Sequence, residues 1–199
     1  MMERLQEKEK PKGRLMSVHV IHFSGVISTT TTERMRDSCL QALSQGATML
    51  RLHFASVGGL TPDSFSLYGF LRSLPVPLVM HNIGNVDSVG VIVFLAGQCR
   101  YACNHSRFLI HPLSWSFSGT IDHARLRETV AGLNNDVNRY AQIFDERTKG
   151  AKKPLKIRRH LSRQEKIVTA AAAIDCGLVS RIEEAIIPQG AAQWWVSAV

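Results

Sequence analysis

A chain of 199 residues has room for one domain with a substantial core and not for two of ordinary size. Hydrophobic residues at 45% and charged residues at 20% exclude a disordered chain, which lacks the apolar surface to offset its conformational entropy. The net charge of +8 raises nucleic acid as a partner, but residues 147–163 alone carry eight Lys or Arg and no acid, with no aromatic residue between them to stack on bases.

That run reads as a solvated basic loop, and nucleic acid is not the expected partner. Cys39, Cys99, Cys103 and Cys176 show no CxxC spacing and follow no apolar signal segment, so they read as reduced thiols of a cytoplasmic protein. The longest apolar run, VGVIVFLAG, is about half a membrane span, and no membrane segment is expected. No cofactor or metal motif stands out.

Residues 1–14 are polar and read as a flexible N-terminal arm; residues 15–199 read as a single domain. MSVHVIHF is a plausible first strand. TTTTERMRDSCLQALSQG then reads as a helix with threonines at its start, apolar residues at Met35, Cys39, Leu40 and Leu43, and Gly46 as its stop. ATMLRLHF is the second strand, and the pair Gly58 and Gly59 turns into a second helix that Thr61 would cap, with Pro62 in its first turn. VPLVMHNI is the third strand and NIGNVDSVGVIVFLAG the turn into a third helix. Strands joined by helices imply a mostly parallel sheet, whose strand ends bring both glycine-containing turns to one edge.

Short strands follow at CRYA and SRFLIH. Residues 120–147 make the longest helical pattern, with Leu126, Val130, Leu133, Val137, Tyr140 and Phe144 forming a narrow apolar seam. That seam packs either on its own domain or on a second subunit.

Ser88 stands just ahead of the third helix. It is either a helix cap or a nucleophile, and as a nucleophile it needs a base, an orienting group and donors for the oxyanion. The amide of Val89, unsatisfied at the helix start, is such a donor.

Four blocks in order resemble the Clp protease proteolytic subunit family: SVGGLTPDSFSLYGFLRSL, GNVDSVGVIVFLAG, SRFLIHP, and DERTKG with AAAAIDCGLVSRI. Gly84, Ser88, Gly90, Ala96 and Gly97 fall in register with the family's active-serine segment. The resemblance implies an α/β fold of the ClpP/crotonase type, a superhelix of repeated ββα and βαβ units with one long protruding interface helix. It also implies a serine endopeptidase acting on peptides or unfolded proteins in a homo-oligomeric ring. By the same resemblance Ser88 is the nucleophile, His111 the base, and Gly59 and Val89 the oxyanion donors.

Glu165 stands where the family has its aspartate, so the partner of His111 is Glu165, a backbone carbonyl or water. The other seven histidines match no motif position. Asp87 takes the place of a small residue and Val57 that of a proline, and the family's unfoldase-engaging N-terminal segment has no counterpart in residues 1–16. A Clp-type ATPase or a paralogous subunit is the partner the family implies. The alternatives are a non-catalytic Clp-like subunit of a mixed ring and a crotonase-type acyl-CoA enzyme.

Overall fold

The computed structural model describes residues 17–116 and 118–197, so the expected N-terminal arm lies outside the described residues. Strand β1 (Val18–Ile27), helix α1 (Thr29–Ser44), β2 (Met49–Gly59), α2 (Thr61–Arg72), β3 (Leu78–Asp87) and α3 (Gly90–Phe94) alternate in the first half. Then come β4 (Cys99–Ala102), β5 (Arg107–Ile110), α4 (His123–Arg147), α5 (Ile157–Ser162), β6 (Lys166–Thr169), α6 (Ala170–Asp175), β7 (Arg181–Ile182) and β8 (Ala192–Val196). Among the described residues they form one eight-stranded sheet, ordered β6-β5-β3-β2-β1-β8, with β4 and β7 branching from β3. Every pair is parallel except β5 with β6.

Alternation along the strands sends Ile21, Phe23, Leu50, Leu52, Phe54, Leu78 and Met80 into the core, where Met35, Cys39 and Ala42 of α1 and Phe65, Leu67 and Leu71 of α2 meet them. Two expectations need correction. Leu40 is exposed, and Ala42 takes its place on the buried stripe, because Met35, Cys39 and Ala42 keep the four-and-three spacing that Leu40 breaks. Thr61 is the first residue of α2 rather than its cap; the cap position falls to Leu60, which has no side-chain oxygen to offer.

Strand β3 changes partners halfway. Val79 to Asn82 pair with β4, and Asn85 to Asp87 pair with β5. Asn82 spans the changeover, its Nδ2 donating to the Arg107 carbonyl at 2.9 Å and its Oδ1 accepting from the Gly84 amide at 3.0 Å. The fork leaves the end of β3 between β5 on one edge and β2 on the other.

Arg100 and Arg147 hold the helix ends behind that point. Arg100 donates to the carbonyls of Leu178, Gly97, Arg147 and Gly177, and Arg147 donates to those of Leu95 and Gly97. The Leu95 and Arg147 carbonyls lie at the ends of α3 and α4, where a helix leaves carbonyls without intrahelical donors, and those of Gly97, Gly177 and Leu178 lie in the turns just beyond α3 and α6. Arg147, counted above in a solvated basic loop, is therefore an interior strut. The rest of that run is not all loop either, since α5 buries Ile157 and Leu161.

Helix α4 divides along its length. Tyr140 and Phe144 are buried in the body, Leu133 and Val137 pack against it, and Leu126 and Val130 are exposed. The seam thus lies on its own body toward the C-terminal end and is open toward the N-terminal end.

The sheet face away from the core carries a row of rings on successive strands, in register: Trp195, His22, His53, His81 and Tyr101. Their centroids are 5.1, 5.0, 5.9 and 6.0 Å apart, and the Arg181 guanidinium lies over Tyr101. Burial, with the fields of His22, His81 and Arg51 added, pushes the His53 imidazole down to about 4. The folded state therefore refuses a proton that the unfolded chain accepts below about pH 6.5. Stability is full above that value and falls as the pH drops toward about 4, by about 3 kcal/mol from His53 alone. Urea midpoints measured across this window should fall in the wild type and flatten in His53→Phe; equal slopes in the two proteins would refute the assignment.

Candidate active site

The sequence places Ser88 one residue after the last residue of β3, and the backbone there is unusual. Among the described residues Ser88 alone of the non-glycines has a positive φ, 57°. For a residue with a Cβ such a conformation costs about 1–3 kcal/mol and persists only where neighbours impose it. They do so on both sides. The Ser88 amide donates to the Leu109 carbonyl at 2.7 Å, and the Ser88 carbonyl accepts from the Tyr140 hydroxyl at 3.0 Å and the Val91 amide at 3.1 Å. Tyr140 is wholly buried, which pushes its phenol far above its ordinary range and keeps it a donor.

Ser88 is not a helix cap. The cap position of α3 is Val89, which receives no side-chain cap bond. A strand that turns sharply into a helix through a strained serine presents the hydroxyl at the tip of the turn, with the next amide at the helix start.

The Gly58 and Gly59 turn closes on this point. A Cβ on Gly58 would lie 2.7 Å from the Ser88 Cβ and 3.3 Å from its Oγ, so Gly58 is the glycine that touches Ser88. Gly59 faces Ile27, one residue further on. Buried Ser56 ties the turn down, accepting from the Gly58 amide at 3.1 Å and donating to the Gly25 carbonyl at 2.8 Å. Gly90 completes the fit: its Cβ would meet Ser56 at 3.3 Å.

His111 follows β5 directly, two residues beyond the carbonyl that binds the Ser88 amide. Its Nδ1 lies 2.8 Å from the Pro112 carbonyl. A carbonyl only accepts, so Nδ1 bears the proton and Nε2 keeps the lone pair, the tautomer that a base for a serine requires. The Leu113 amide donates to the Leu161 carbonyl at 3.1 Å, anchoring this segment to α5.

Glu165 precedes β6. The antiparallel ladder pairs Ile110 with Lys166, so continuing the register sets Glu165 across from His111. Its side chain is exposed, and among the described residues it makes no hydrogen bond to His111. The structure thus brings Ser88, Val89 and Gly58 together, with Gly59 next in the chain and turned to Ile27, and gives His111 a backbone partner, with Glu165 outside that set of contacts.

Asp87 neither caps α3 nor points at the amide of Val89. It is buried and grips Arg107 with both oxygens, at 3.0 and 3.2 Å. Burial pushes its carboxyl up, and Arg107 and then His111 oppose that shift. Sequence reasoning missed Arg107, Tyr140 and Ser56; only the strand register and the packing of α4 bring them to Ser88.

A sequence pattern described as Clp protease matches residues 3–185, a span that includes Gly58, Ser88, His111 and Glu165. The chain belongs to the Clp protease family. Among relatives, the ATP-dependent Clp protease proteolytic subunit 2 of Treponema pallidum (strain Nichols) is 34% identical over 90 residues, covering 42% of this chain and 45% of that protein. The match takes in less than half of that relative's length. Against the rest of the Clp protease expectation, the mixed α/β sheet is mostly parallel, as the resemblance implied. No helix among the described residues is long and apolar enough to cross a membrane.

Proposed function

We propose that this chain is a serine peptidase of the Clp proteolytic-subunit type, cleaving peptide bonds through an acyl-enzyme on Ser88. The observation that carries the reading is the strained Ser88 turn at the start of α3, closed against Gly58, within a chain matched to the family along most of its length. His111 Nε2 takes the hydroxyl proton as Oγ adds to the substrate carbonyl. The amides of Val89 and Gly59 receive the oxyanion, an arrangement in which each donor is worth about a hundredfold to a thousandfold. Collapse expels the amine, which leaves with the proton from His111, and water activated by the same nitrogen then releases the acid. The exposed end of α4, with Leu126 and Val130, supports assembly with further copies into a ring, as the family implies.

One observation favours a second reading, a non-catalytic subunit of a mixed ring: Glu165 is exposed and makes no hydrogen bond to His111. A fluorophosphonate probe separates the two. Wild type should be labelled and Ser88→Ala should not; absence of labelling in every assembly state, while a co-purified paralogue is labelled, would establish the second reading.

A further inference from the structure

The pair Asp87 and Arg107 is unaccounted for by the chemistry above, yet it adjoins both reacting side chains. Asp87 immediately precedes Ser88, and the parallel register sets it against Leu109. Arg107 and His111 therefore flank that rung, two residues to either side along the chain, Arg107 at the start of β5 and His111 just past its end, and continuing the alternation puts both on the face that Asp87 shares. Arg107 demonstrates the direction by reaching the Asp87 carboxylate with two nitrogens, at 3.0 and 3.2 Å. The Ser88 amide bond to Leu109 locks the two strands together at this rung. Asp87 also interacts electrostatically with His111.

Acyl transfer through Ser88 makes His111 transiently cationic, and a cation in a protein site needs a fixed counter-charge. The Pro112 carbonyl on Nδ1 supplies a dipole but no charge. Of the other charged groups near His111, Glu165 and Lys166 stand across the ladder at the exposed start of β6, and Arg159 and His160 of α5 turn to Gln164. The buried Asp87 carboxylate is screened least by solvent. On its own a carboxylate so buried would tend to neutralise, and beside a nucleophile it would also oppose an oxyanion. The two-pronged contact with Arg107 answers both problems, keeping the charge on Asp87 and turning its oxygens toward β5.

We propose that Asp87, held ionised and aimed by Arg107, is the positioning carboxylate that balances the charge on His111 during acyl transfer. This rests on reading Ser88 and His111 as nucleophile and base. Its test is kept separate by titrating the His111 imidazole in the Ser88→Ala protein by NMR of labelled histidine, which requires no turnover. Asp87→Asn should lower the His111 midpoint by about half to one pH unit, as expected for loss of a neighbouring charge partly screened by water. Arg107→Lys, which retains the charge, should restore most of the wild-type midpoint and pH profile relative to Arg107→Gln. In the Ser88-containing protein the acidic limb of fluorophosphonate labelling should move with the same sign in Asp87→Asn.

A pair that merely braced the fold would lower the melting temperature in these variants and leave the midpoint in place, and that result overturns the proposal. Glu165→Gln, at an exposed site where substitutions usually change stability only slightly, provides the arm that survives if Asp87→Asn fails to assemble. No shift of the His111 midpoint supports Asp87, and a fall of about half a unit or more assigns the role to Glu165 instead.

Discussion

Replacing His111 by alanine is expected to slow peptide hydrolysis by about ten-thousandfold or more, while Glu165→Gln slows it by about tenfold or less. The contrast follows from what each side chain touches. His111 has its tautomer set by the Pro112 carbonyl, so the unprotonated Nε2 is available without help from a third side chain. Glu165 is exposed at the entry to β6, with no hydrogen bond to the imidazole, and its charge is screened by solvent. A carboxylate bonded directly to Nδ1 is worth far more, because its loss releases the wrong tautomer, at a cost of about ten-thousandfold in rate. Initial rates on an unstructured fluorogenic peptide decide the matter. A loss in Glu165→Gln that equals the His111→Ala loss would mean that Glu165 swings onto Nδ1 in the working assembly and displaces the Pro112 carbonyl.

The parts of this site differ in how readable they were, for physical reasons. Periodicity marked β1, α1, β2, α2 and β3, because strand alternation and a helical stripe both leave a trace in one stretch of sequence. Ser88 and His111 were found by local motif, and each motif sits on one strand end. The conformation of Ser88 left no trace, since a positive φ at a serine is imposed by Leu109 and Tyr140 from elsewhere in the chain. Asp87 was legible only as a carboxylate where the family has a small residue, since no local pattern says what it grips. Its partner Arg107 became visible only through the register of β3 with β5. Arg147 was misread for a related reason: composition places a charge in a basic run, but cannot say that its guanidinium lies on the carbonyls of Leu95 and Gly97. The pairing of β8 with β1 joins residues from opposite ends of the described chain, beyond the reach of any local pattern.

Gly59→Ala is expected to destabilise the fold by about 3–5 kcal/mol, and Gly58→Ala to remove labelling of Ser88 at a smaller stability cost of about 1–3 kcal/mol. The two glycines are neighbours, but a methyl group on each strikes different atoms. On Gly59 it would lie 2.0 Å from the Ile27 carbonyl oxygen and 2.8 Å from the Ile27 carbonyl carbon. Both are backbone atoms of β1, which cannot move without breaking the pairing of Ile27 with Gly59. On Gly58 the methyl group would meet the Ser88 Cβ at 2.7 Å and the Asp87 carbonyl at 3.1 Å, so the strained turn itself must yield. Gly25→Ala separates clash from backbone strain, because Gly25 has a φ of 136°, close to the 153° of Gly59, with nothing within 4 Å of an added Cβ. Conformational strain alone should then cost about 1 kcal/mol there, and the difference between Gly25→Ala and Gly59→Ala in urea midpoint measures the collision with Ile27. If Gly58→Ala retains full labelling, the glycine pair does not set the position of Ser88, and the proposed donor at Gly59 loses its geometric basis with it.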